Sequence, residues 1–304
     1  MRILIVGLGI QGNKRAVYAK KDLVASVDPY VSTADYKNIF DVPLDLYDSA
    51  MLCVPDKKKE ELIEYCINNN KNVLVEKPLF LSGEEKFKEF ENEANRMKCV
   101  IYTAYNHRFE PHFINIKNFL NSKKLGKIYR CKLYYGNGTA KLVRTSKWRD
   151  QGSGVIHDLA SHLIDTLYFW FGNFSSNFEL NYANNYENRA PDNAIISTRI
   201  NSTYIDFEIS MLSWRNTFKC DIIGEKGSIH INSLCKWGPS EFLFRKRKFP
   251  SGKPKETKKI IVKKDPTWLK EYKHFKNLCT KKIKTNLSKD LKIERILKKI
   301  ELEL

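Results

Sequence analysis

The fold of this chain is decided by the stretch ILIVGLGIQG at residues 3–12. Its first four residues are wholly apolar, which is typical of a parallel strand buried on both faces. The pattern G-x-G-x-x-G follows at once and opens a helix-like stretch. In this context Gly7 permits a tight turn, Gly9 lets the backbone approach a pyrophosphate, and Gly12 lets the helix pack close to the sheet. Because a helix N-terminus presents N–H groups to an anion, the stretch predicts a dinucleotide site.

An acidic residue ends the next apolar run, Leu23–Val27. Asp28 comes 21 residues after Gly7, where a carboxylate accepts hydrogen bonds from the adenosine ribose of a dinucleotide. That carboxylate would repel the 2′-phosphate of NADP, and the following Pro29-Tyr30 supplies no adjacent arginine. The sequence therefore favours NAD over NADP as the cofactor. The alternative is a glycine-rich turn in an α/β protein that binds another ligand.

Strand-like and helix-like stretches alternate through the first hundred residues, which predicts a doubly wound parallel sheet. Later strand-like runs lie at Ala50–Val54, Asn72–Val75 and Val100–Ala104, with helix-like stretches at 58–69 and 84–97 between them. After residue 106, strand-like segments of alternating polarity dominate, as in an antiparallel sheet with one covered face. A helix near 155–171 interrupts them, and a helical pair follows from Trp268 to Leu304.

The predicted fold class is therefore α/β. An N-terminal Rossmann-type, doubly wound parallel sheet, residues 1–106, binds the cofactor. An α+β domain with a large, mostly antiparallel open sheet follows at residues 107–304 and is expected to serve substrate binding and oligomerisation. A chain of 304 residues is long enough for two such domains.

Composition narrows the class of protein. No run approaches the roughly 18 to 20 apolar residues of a membrane span. The apolar stretch at residues 3–8 is too short, and too broken by glycine, for a signal peptide. We therefore expect a cytoplasmic protein with no membrane partner. The seven cysteines are odd in number, widely spaced and without a C-x-x-C motif, so neither a disulfide framework nor a structural zinc site is expected.

The net charge of +18 has two explanations. An anionic partner, such as nucleic acid, a membrane surface or a phosphorylated small molecule, is one. A coding bias toward lysine, which far outnumbers arginine, is the other and is favoured. The densest basic run, Arg245–Lys264, resembles a hairpin whose exposed edge is kept soluble by lysine. Nucleic acid is therefore not expected as a partner.

Further motifs follow in a fixed order along the chain. They are Glu76-Lys77-Pro78 after the strand Val73–Val75, Arg108-Phe109-Glu110-Pro111, Trp148-Arg149, the segment Gly152–Asp165, and the turn Gly224–Ser228. With them the chain resembles the glucose–fructose oxidoreductase / inositol dehydrogenase / MocA (Gfo/Idh/MocA) family of NAD(P)-dependent oxidoreductases over nearly its whole length. It departs from the family pattern in having Val54 before Pro55, lysines at 57–59, and Ser153 for a glycine.

The resemblance implies an NAD-dependent oxidoreductase. Such an enzyme transfers a hydride between nicotinamide and a hydroxyl or keto carbon of a sugar or a nucleotide-linked sugar. It also implies a homo-oligomer, a dimer or a tetramer. Cofactor contacts are expected at Gly7, Gly9, Ile10, Gln11, Gly12, Asp28, Val54, Pro55, Glu76 and Lys77. Catalysis is expected from Lys77, Asp158 and His162, substrate contacts from Asn106, Arg149 and His162, and no metal ion is required.

The residue types suit this chemistry. Asp158, His162 and Asp165 are spaced i, i+4, i+7 and would share one face of a helix. A neighbouring carboxylate can fix the tautomer of a histidine and raise its basicity, which suits a general base. Lys77 would lie at the carboxyl edge of the sheet, where its ammonium can stabilise alkoxide character. Asp165 is expected to be structural, and the other histidines near these motifs, His107, His112 and His157, are treated as bystanders.

Two other functions remain open on the sequence alone. An enzyme on the same scaffold can use tightly bound NAD for a transient oxidation that ends in hydrolysis or elimination. A non-catalytic NAD-binding protein, redox-sensing or associated with nucleic acid, is the third hypothesis. It predicts that Lys77 and His162 are dispensable.

Overall fold

The computed structural model describes residues 1–146 and 149–304, and it separates into two compact units. The first unit combines residues 1–106 with 268–294, and the second combines 107–267 with 295–304. The break after residue 106 coincides with the predicted boundary. Residues 268–294 differ from the prediction, which assigned all of 107–304 to the second domain. Trp148, part of the Trp-Arg motif, lies outside the described residues.

The first unit is built on a five-stranded parallel sheet with the order β2-β1-β3-β4-β5. Its strands are β1 (Ile3–Val6), β2 (Leu23–Val27), β3 (Ser49–Leu52), β4 (Asn72–Glu76) and β5 (Ile101–Ala104). Its crossover helices are α1 (Ile10–Ala19), α2 (Asp56–Asn68) and α3 (Glu84–Arg96). Every residue of β1, β3 and β5 is buried, which explains why their sequences are mainly apolar. The predicted doubly wound sheet is confirmed.

Both faces of this sheet are covered by apolar side chains. On one face, Ile63 of α2 and Phe87 of α3 pack in the same core as Leu4. On the other face, Tyr272 and Phe275 pack in a core that contains the other side of β1. These two aromatic residues belong to a C-terminal helix, which is why residues 268–294 are part of the first unit.

The second unit contains an eight-stranded sheet with the order β13-β12-β11-β10-β6-β9-β8-β7. Its strands are β6 (Ile128–Gly136), β7 (Phe178–Asn184), β8 (Asn193–Ile200), β9 (Thr203–Ser210), β10 (Thr217–Gly224), β11 (Gly227–Asn232), β12 (Ser240–Lys246) and β13 (Lys255–Ile261). Neighbouring strands are antiparallel except for β6 and β9. The predicted large, mostly antiparallel sheet is therefore confirmed.

The remaining helices are α4 (Pro111–Asn121), α5 (Ala140–Arg144), α6 (Ser161–Phe171), α7 (Thr267–Thr280) and α8 (Ser288–Glu301). The predicted helix near 155–171 is present, but its first part, Ile156–Ala160, is a π-helical turn that continues directly into α6. In the described part of the chain, no helix combines the length and the apolar character needed to cross a membrane. All seven cysteines carry free thiols.

Candidate active site

The glycine turn has the geometry that its sequence pattern predicts. Gly7 has a φ of +91°, and a Cβ there would lie 2.4 Å from the Cys53 carbonyl oxygen. A Cβ at Gly12 would lie 1.8 Å from the Gly7 carbonyl oxygen. Both positions therefore require glycine for the fold itself. Gly9 differs, since a Cβ there would meet no atom of the described part of the chain within 4 Å.

The start of α1 is open in a way that suits an anion. Among the described residues, no side chain caps the helix at its N-cap, Gly9. The next two positions are exposed, with Ile10 63% accessible and Gln11 also at the surface. Uncapped N–H groups and the positive end of the helix dipole favour a phosphate at this position. The turn therefore fits the pyrophosphate of a dinucleotide.

The carboxylate of Asp28 lies beside this turn. Its Oδ2 accepts a hydrogen bond from the Leu8 N–H at 2.8 Å, and its Oδ1 accepts from the N–H groups of Tyr30 and Val31 at 2.9 and 3.1 Å. Burial opposes ionisation, but the three backbone donors outweigh it and hold the pKa of Asp28 below its ordinary value. A carboxylate offers about four acceptor positions. At least one remains for a ribose hydroxyl, so Asp28 also fits the predicted cofactor.

The strand β4 ends in the predicted Glu-Lys-Pro motif, and Glu76 takes part in a buried ion-pair network. Its Oε1 accepts from Arg15 Nε at 2.5 Å, and Arg15 Nη1 also donates to Glu271 Oε2 at 3.2 Å. Arg15 is 3% exposed and Glu271 is fully buried. The structure therefore gives Glu76 a partner inside the protein, so its predicted role as a cofactor contact stays a prediction.

A buried lysine supports the turn after β4. Lys59 Nζ donates to the Pro78 carbonyl oxygen at 2.6 Å and pairs with Asp56 at the same distance. Its side chain is 1% exposed, and burial lowers the pKa of its amine. Lys59 belongs to the lysine run that departs from the family pattern. It connects the start of α2 with the turn that presents Lys77, which is half-buried. Sequence reasoning did not find this role, because nothing in the spacing connects Lys59 to Pro78.

In the second unit, Asp158 lies in the π-helical turn and His162 lies in the first turn of α6. Arg149 Nη2 donates to Asp158 Oδ2 at 3.2 Å. The π-helical turn replaces the regular α-helical spacing that was assumed for Asp158 and His162. Such turns are rare and are found frequently at functional sites.

The imidazole of His162 lies in an aromatic cluster. Its ring is stacked on the ring of His107, with centroids 4.1 Å apart and planes inclined by 19°. Tyr135 of β6 approaches His162 edge-on, with a centroid separation of 6.3 Å. His107 is 2% exposed and directly contacts a predicted catalytic residue, although the sequence had suggested a bystander.

Two other residues of the motif have structural partners. Asp165 is fully buried, and each of its two carboxylate oxygens accepts a hydrogen bond from the guanidinium of Arg108. This agrees with the structural role expected for Asp165. His157 Nε2 lies 3.5 Å from Glu301 Oε2 on the C-terminal helix.

The remaining predicted contacts lie at strand ends. Val54 and Pro55 follow β3, and the side chain of Val54 would lie 3.4 Å from a Cβ built on Gly7. Asn106 is 7% exposed and is the last residue of the first segment. Within the first unit, the carboxyl ends of β1, β3 and β4 thus bring Gly7, Val54 and Lys77 to one edge of the sheet, as in other doubly wound folds.

This fold and these motifs define the class of protein. Residues 1–105 match the domain described as "Oxidoreductase family, NAD-binding Rossmann fold", and residues 117–286 match "Oxidoreductase family, C-terminal alpha/beta domain" of the same Gfo/Idh/MocA family. The chain belongs to this oxidoreductase family. The predicted family and the NAD-binding Rossmann fold are confirmed.

Curated relatives include three named dehydrogenases. Levoglucosan dehydrogenase of Pseudarthrobacter phenanthrenivorans is 28% identical over 48% of this chain and 38% of its own length. Glucose-6-phosphate 3-dehydrogenase of Bacillus subtilis is 25% identical over 48% of this chain and 43% of its own. Inositol 2-dehydrogenase of Rhizobium meliloti is 23% identical over 41% of this chain and 37% of its own length. The chain spans less than half the length of the curated relatives it matches.

Solved structures extend the likeness of fold to the whole chain. A levoglucosan dehydrogenase in complex with NADH superposes with a TM-score of 0.80 at 16% identity, over 100% of this chain and 97% of that one. An oxidoreductase of Agrobacterium radiobacter in complex with NAD⁺, L-tartaric acid and magnesium has a TM-score of 0.79 at 14% identity. This match covers 98% of the present chain and 94% of that one. At these identities the likeness establishes the two-domain fold.

Proposed function

We propose that this chain is an NAD-dependent dehydrogenase or reductase that acts on a CH–OH group of a sugar, free or nucleotide-linked. The observation that carries the proposal is the open glycine turn with Asp28 beside it, in a chain that matches both domains of the oxidoreductase family. The names of three relatives point the same way, since they specify dehydrogenation of levoglucosan, glucose 6-phosphate and inositol.

The first unit supplies the cofactor contacts in this proposal. The N–H groups at Gly9, Ile10 and Gln11 hold the pyrophosphate, and Asp28 accepts from the adenosine ribose. When bound, NAD supplies the acceptor or donor of the hydride, and the protein contributes position and charge.

Proton transfer is assigned to two of the predicted catalytic side chains. His162 takes the proton of the substrate hydroxyl as general base, or returns it in the reverse direction. The ammonium of Lys77 hydrogen-bonds the same oxygen and stabilises its developing negative charge. Asp158, which is paired with Arg149, orients the base or the substrate. Asn106 and Arg149 complete the substrate contacts.

The test is a panel of sugars, inositols and nucleotide-linked sugars, followed by NADH absorbance and fluorescence. With an active substrate, Lys77→Met and His162→Gln should each lower kcat about a hundredfold to ten-thousandfold, the range of general acid–base catalysis. NAD affinity of His162→Gln should stay unchanged. Exposed Lys263→Met is the matched control and should keep full activity.

Two outcomes would contradict the proposal. Absence of NAD binding and of turnover across the panel would remove the dehydrogenase function. NAD that co-purifies with the protein and shows no net redox change would favour transient oxidation followed by hydrolysis or elimination. The proposal extends to a cytoplasmic homo-oligomer, a dimer or a tetramer, which analytical ultracentrifugation and cell fractionation would test.

A further inference from the structure

The imidazole of His107 is fixed from several sides. Beyond its stack on His162, it meets Phe113 of α4 edge-on, with centroids 6.0 Å apart at 89°. Tyr135 of β6 lies at a centroid distance of 5.3 Å. With 2% of its surface exposed, the His107 ring is part of the core and offers a flat face to the half-buried ring of His162.

A lysine determines the protonation state of His107. Lys236 Nζ lies 3.1 Å from His107 Nε2. An ammonium group donates hydrogen bonds and accepts none, so Nε2 must be the acceptor. A neutral His107 ring with its proton on Nδ1 satisfies this pairing. The positive charge of Lys236 also opposes protonation of the ring.

The short turn that contains Lys236 is held in place by hydrogen bonds to a buried carboxylate. Glu110 accepts from the Cys235 N–H at 3.2 Å and from the Cys235 thiol at 3.1 Å. Glu110 is 1% exposed, and this burial raises the pKa of its carboxyl group. Lys236 also lies over the ring of Trp237, at 4.6 Å from the centroid. The anchored turn therefore holds the ammonium in one place.

We propose that His107, held in its neutral Nδ1–H form by Lys236, is a positioning residue that sets the ring plane of His162. The stack limits rotation of the His162 imidazole about its Cβ–Cγ bond, which keeps the basic nitrogen aimed at one point. A displacement of about 1 Å at a reacting group can cost on the order of a hundredfold in rate. The catalytic consequence rests on the proposed function of His162, whereas the ring geometry and the tautomer do not.

The first experiment needs no substrate. In protein labelled with ¹⁵N-histidine, long-range proton–nitrogen spectra report the protonation of each ring nitrogen, and His107→Phe and His162→Gln assign the signals. We expect His107 to show a protonated Nδ1 and a bare Nε2 from pH 8 down to pH 6. Among the described residues, the titratable groups in contact with it include Lys236, His162 and Tyr135.

Replacing Lys236 should allow the His107 ring to take up a proton on its second nitrogen. In Lys236→Met, His107 should begin to take up a second proton within the same pH range, whereas the control Lys263→Met should behave as the native chain. A His107 ring that is protonated at Nε2, or that titrates identically with and without Lys236, would overturn the proposal.

The second experiment distinguishes the effect of a flat ring at position 107 on catalysis from its effect on the stability of the fold. His107→Leu should lower kcat tenfold to a hundredfold with unchanged NAD affinity, whereas His107→Phe, which keeps a flat ring, should recover most of the rate. Both variants should unfold at similar urea concentrations. Equal rates for the two variants would overturn the positioning role. If no sugar is turned over by the native chain, the proposed function fails, and the nitrogen spectra still decide the geometry.

Discussion

The carboxylate of Asp28 shows how one side chain connects fold and ligand. Three backbone N–H groups hold it in place before any cofactor arrives. The same hydrogen bonds lower its pKa, so the group is fully ionised at neutral pH. A fixed, ionised acceptor beside an uncapped helix is suited to a ribose and hostile to a 2′-phosphate.

Asp28→Ala should therefore weaken NAD binding about tenfold to a hundredfold, since a hydrogen bond to a charged group contributes about 1.5 to 3 kcal/mol. NADP binding should fall less or improve, because the repulsion is removed. Titration calorimetry with both cofactors measures the two changes. Exposed Asp41→Ala in the same unit is the control, and an unchanged NAD/NADP preference in Asp28→Ala would contradict the assignment.

A buried histidine makes stability depend on pH. His112 is fully buried, and its Nε2 lies 3.0 Å from the Ser240 carbonyl oxygen, while Asn115 approaches its Nδ1. Burial lowers the pKa of His112 below its ordinary value. Below a pH of about 6.5 the unfolded chain therefore binds a proton that the folded chain refuses. The folded state loses stability as the pH falls through this window.

The free energy of unfolding should thus decrease from pH 7.5 to pH 5.5 more steeply in the native chain than in His112→Gln. The excess slope should approach about 1.4 kcal/mol per pH unit below the ordinary histidine pKa. Urea titrations at several pH values measure it. Parallel slopes for the two proteins would show that His112 is protonated in the folded state as readily as in the unfolded one.

Residue roles were predictable from the sequence where the signal is local. Gly7, Gly12 and Asp28 lie within one strand–helix–strand unit, β1-α1-β2, and their spacing follows from its geometry. His107 and Lys236 are 129 residues apart, and no spacing rule connects them. Their contact depends on the tertiary fold, which is why His107 was taken for a bystander.

The strand–turn–helix element at residues 3–19 contains glycines that are needed for two different reasons. At Gly12 the fold needs the missing Cβ, because the Gly7 carbonyl oxygen fills its place. At Gly9 no atom of the described residues lies within 4 Å of that position, so we expect any requirement for glycine there to come from the approach of a ligand.

Gly12→Ala and Gly9→Ala should therefore behave differently. Gly12→Ala should lose at least about 3 kcal/mol of stability, because a backbone clash cannot relax without moving the helix. Gly9→Ala should stay within about 1 kcal/mol of the native chain and lose NAD affinity more than tenfold. Urea unfolding and NAD titration distinguish the two. Normal NAD binding by Gly9→Ala would contradict the pyrophosphate site.

Elements with strong periodicity were predicted well, and others were not. All five parallel strands were found from short, mainly apolar runs. The strand β7 was not identified, because only its first residue is fully buried and its pattern carries little alternation. The π-helical turn before α6 also escaped prediction, since one extra residue per turn leaves no mark in an apolar pattern.

At the scale of the molecule, Arg15 connects three distant parts of the chain. It links α1 to Glu76 at the end of β4 and to Glu271 in α7, and Trp268 lies against its guanidinium at 5.0 Å. Two carboxylates outweigh the effect of burial and raise the pKa of Arg15. Membership of residues 268–294 in the first unit was not predictable, because the amphipathicity of a helix does not indicate which sheet the helix covers.

Arg15→Met should destabilise the chain by about 3 to 5 kcal/mol, because it removes the guanidinium that pairs with the buried Glu271 and the half-buried Glu76. Glu271→Gln should cost less, since Arg15 keeps Glu76. Urea unfolding compares them, with exposed Lys21→Met as the control. Hydrogen exchange should show α7 loosening first in Arg15→Met. Equal stability of Arg15→Met and Lys21→Met would show that the network contributes nothing.

The divided first unit also has a consequence for synthesis of the protein on the ribosome. Residues 1–106 emerge early, but the aromatic side chains that cover one face of their sheet belong to residues 268–294. At a translation rate of roughly 5 to 20 residues per second, the wait lasts on the order of ten to forty seconds. During that interval one apolar face of the nascent parallel sheet has only part of its cover, which α1 supplies through Ala16 and Ala19. The unit that begins the chain is therefore completed only after most of the second unit has been made.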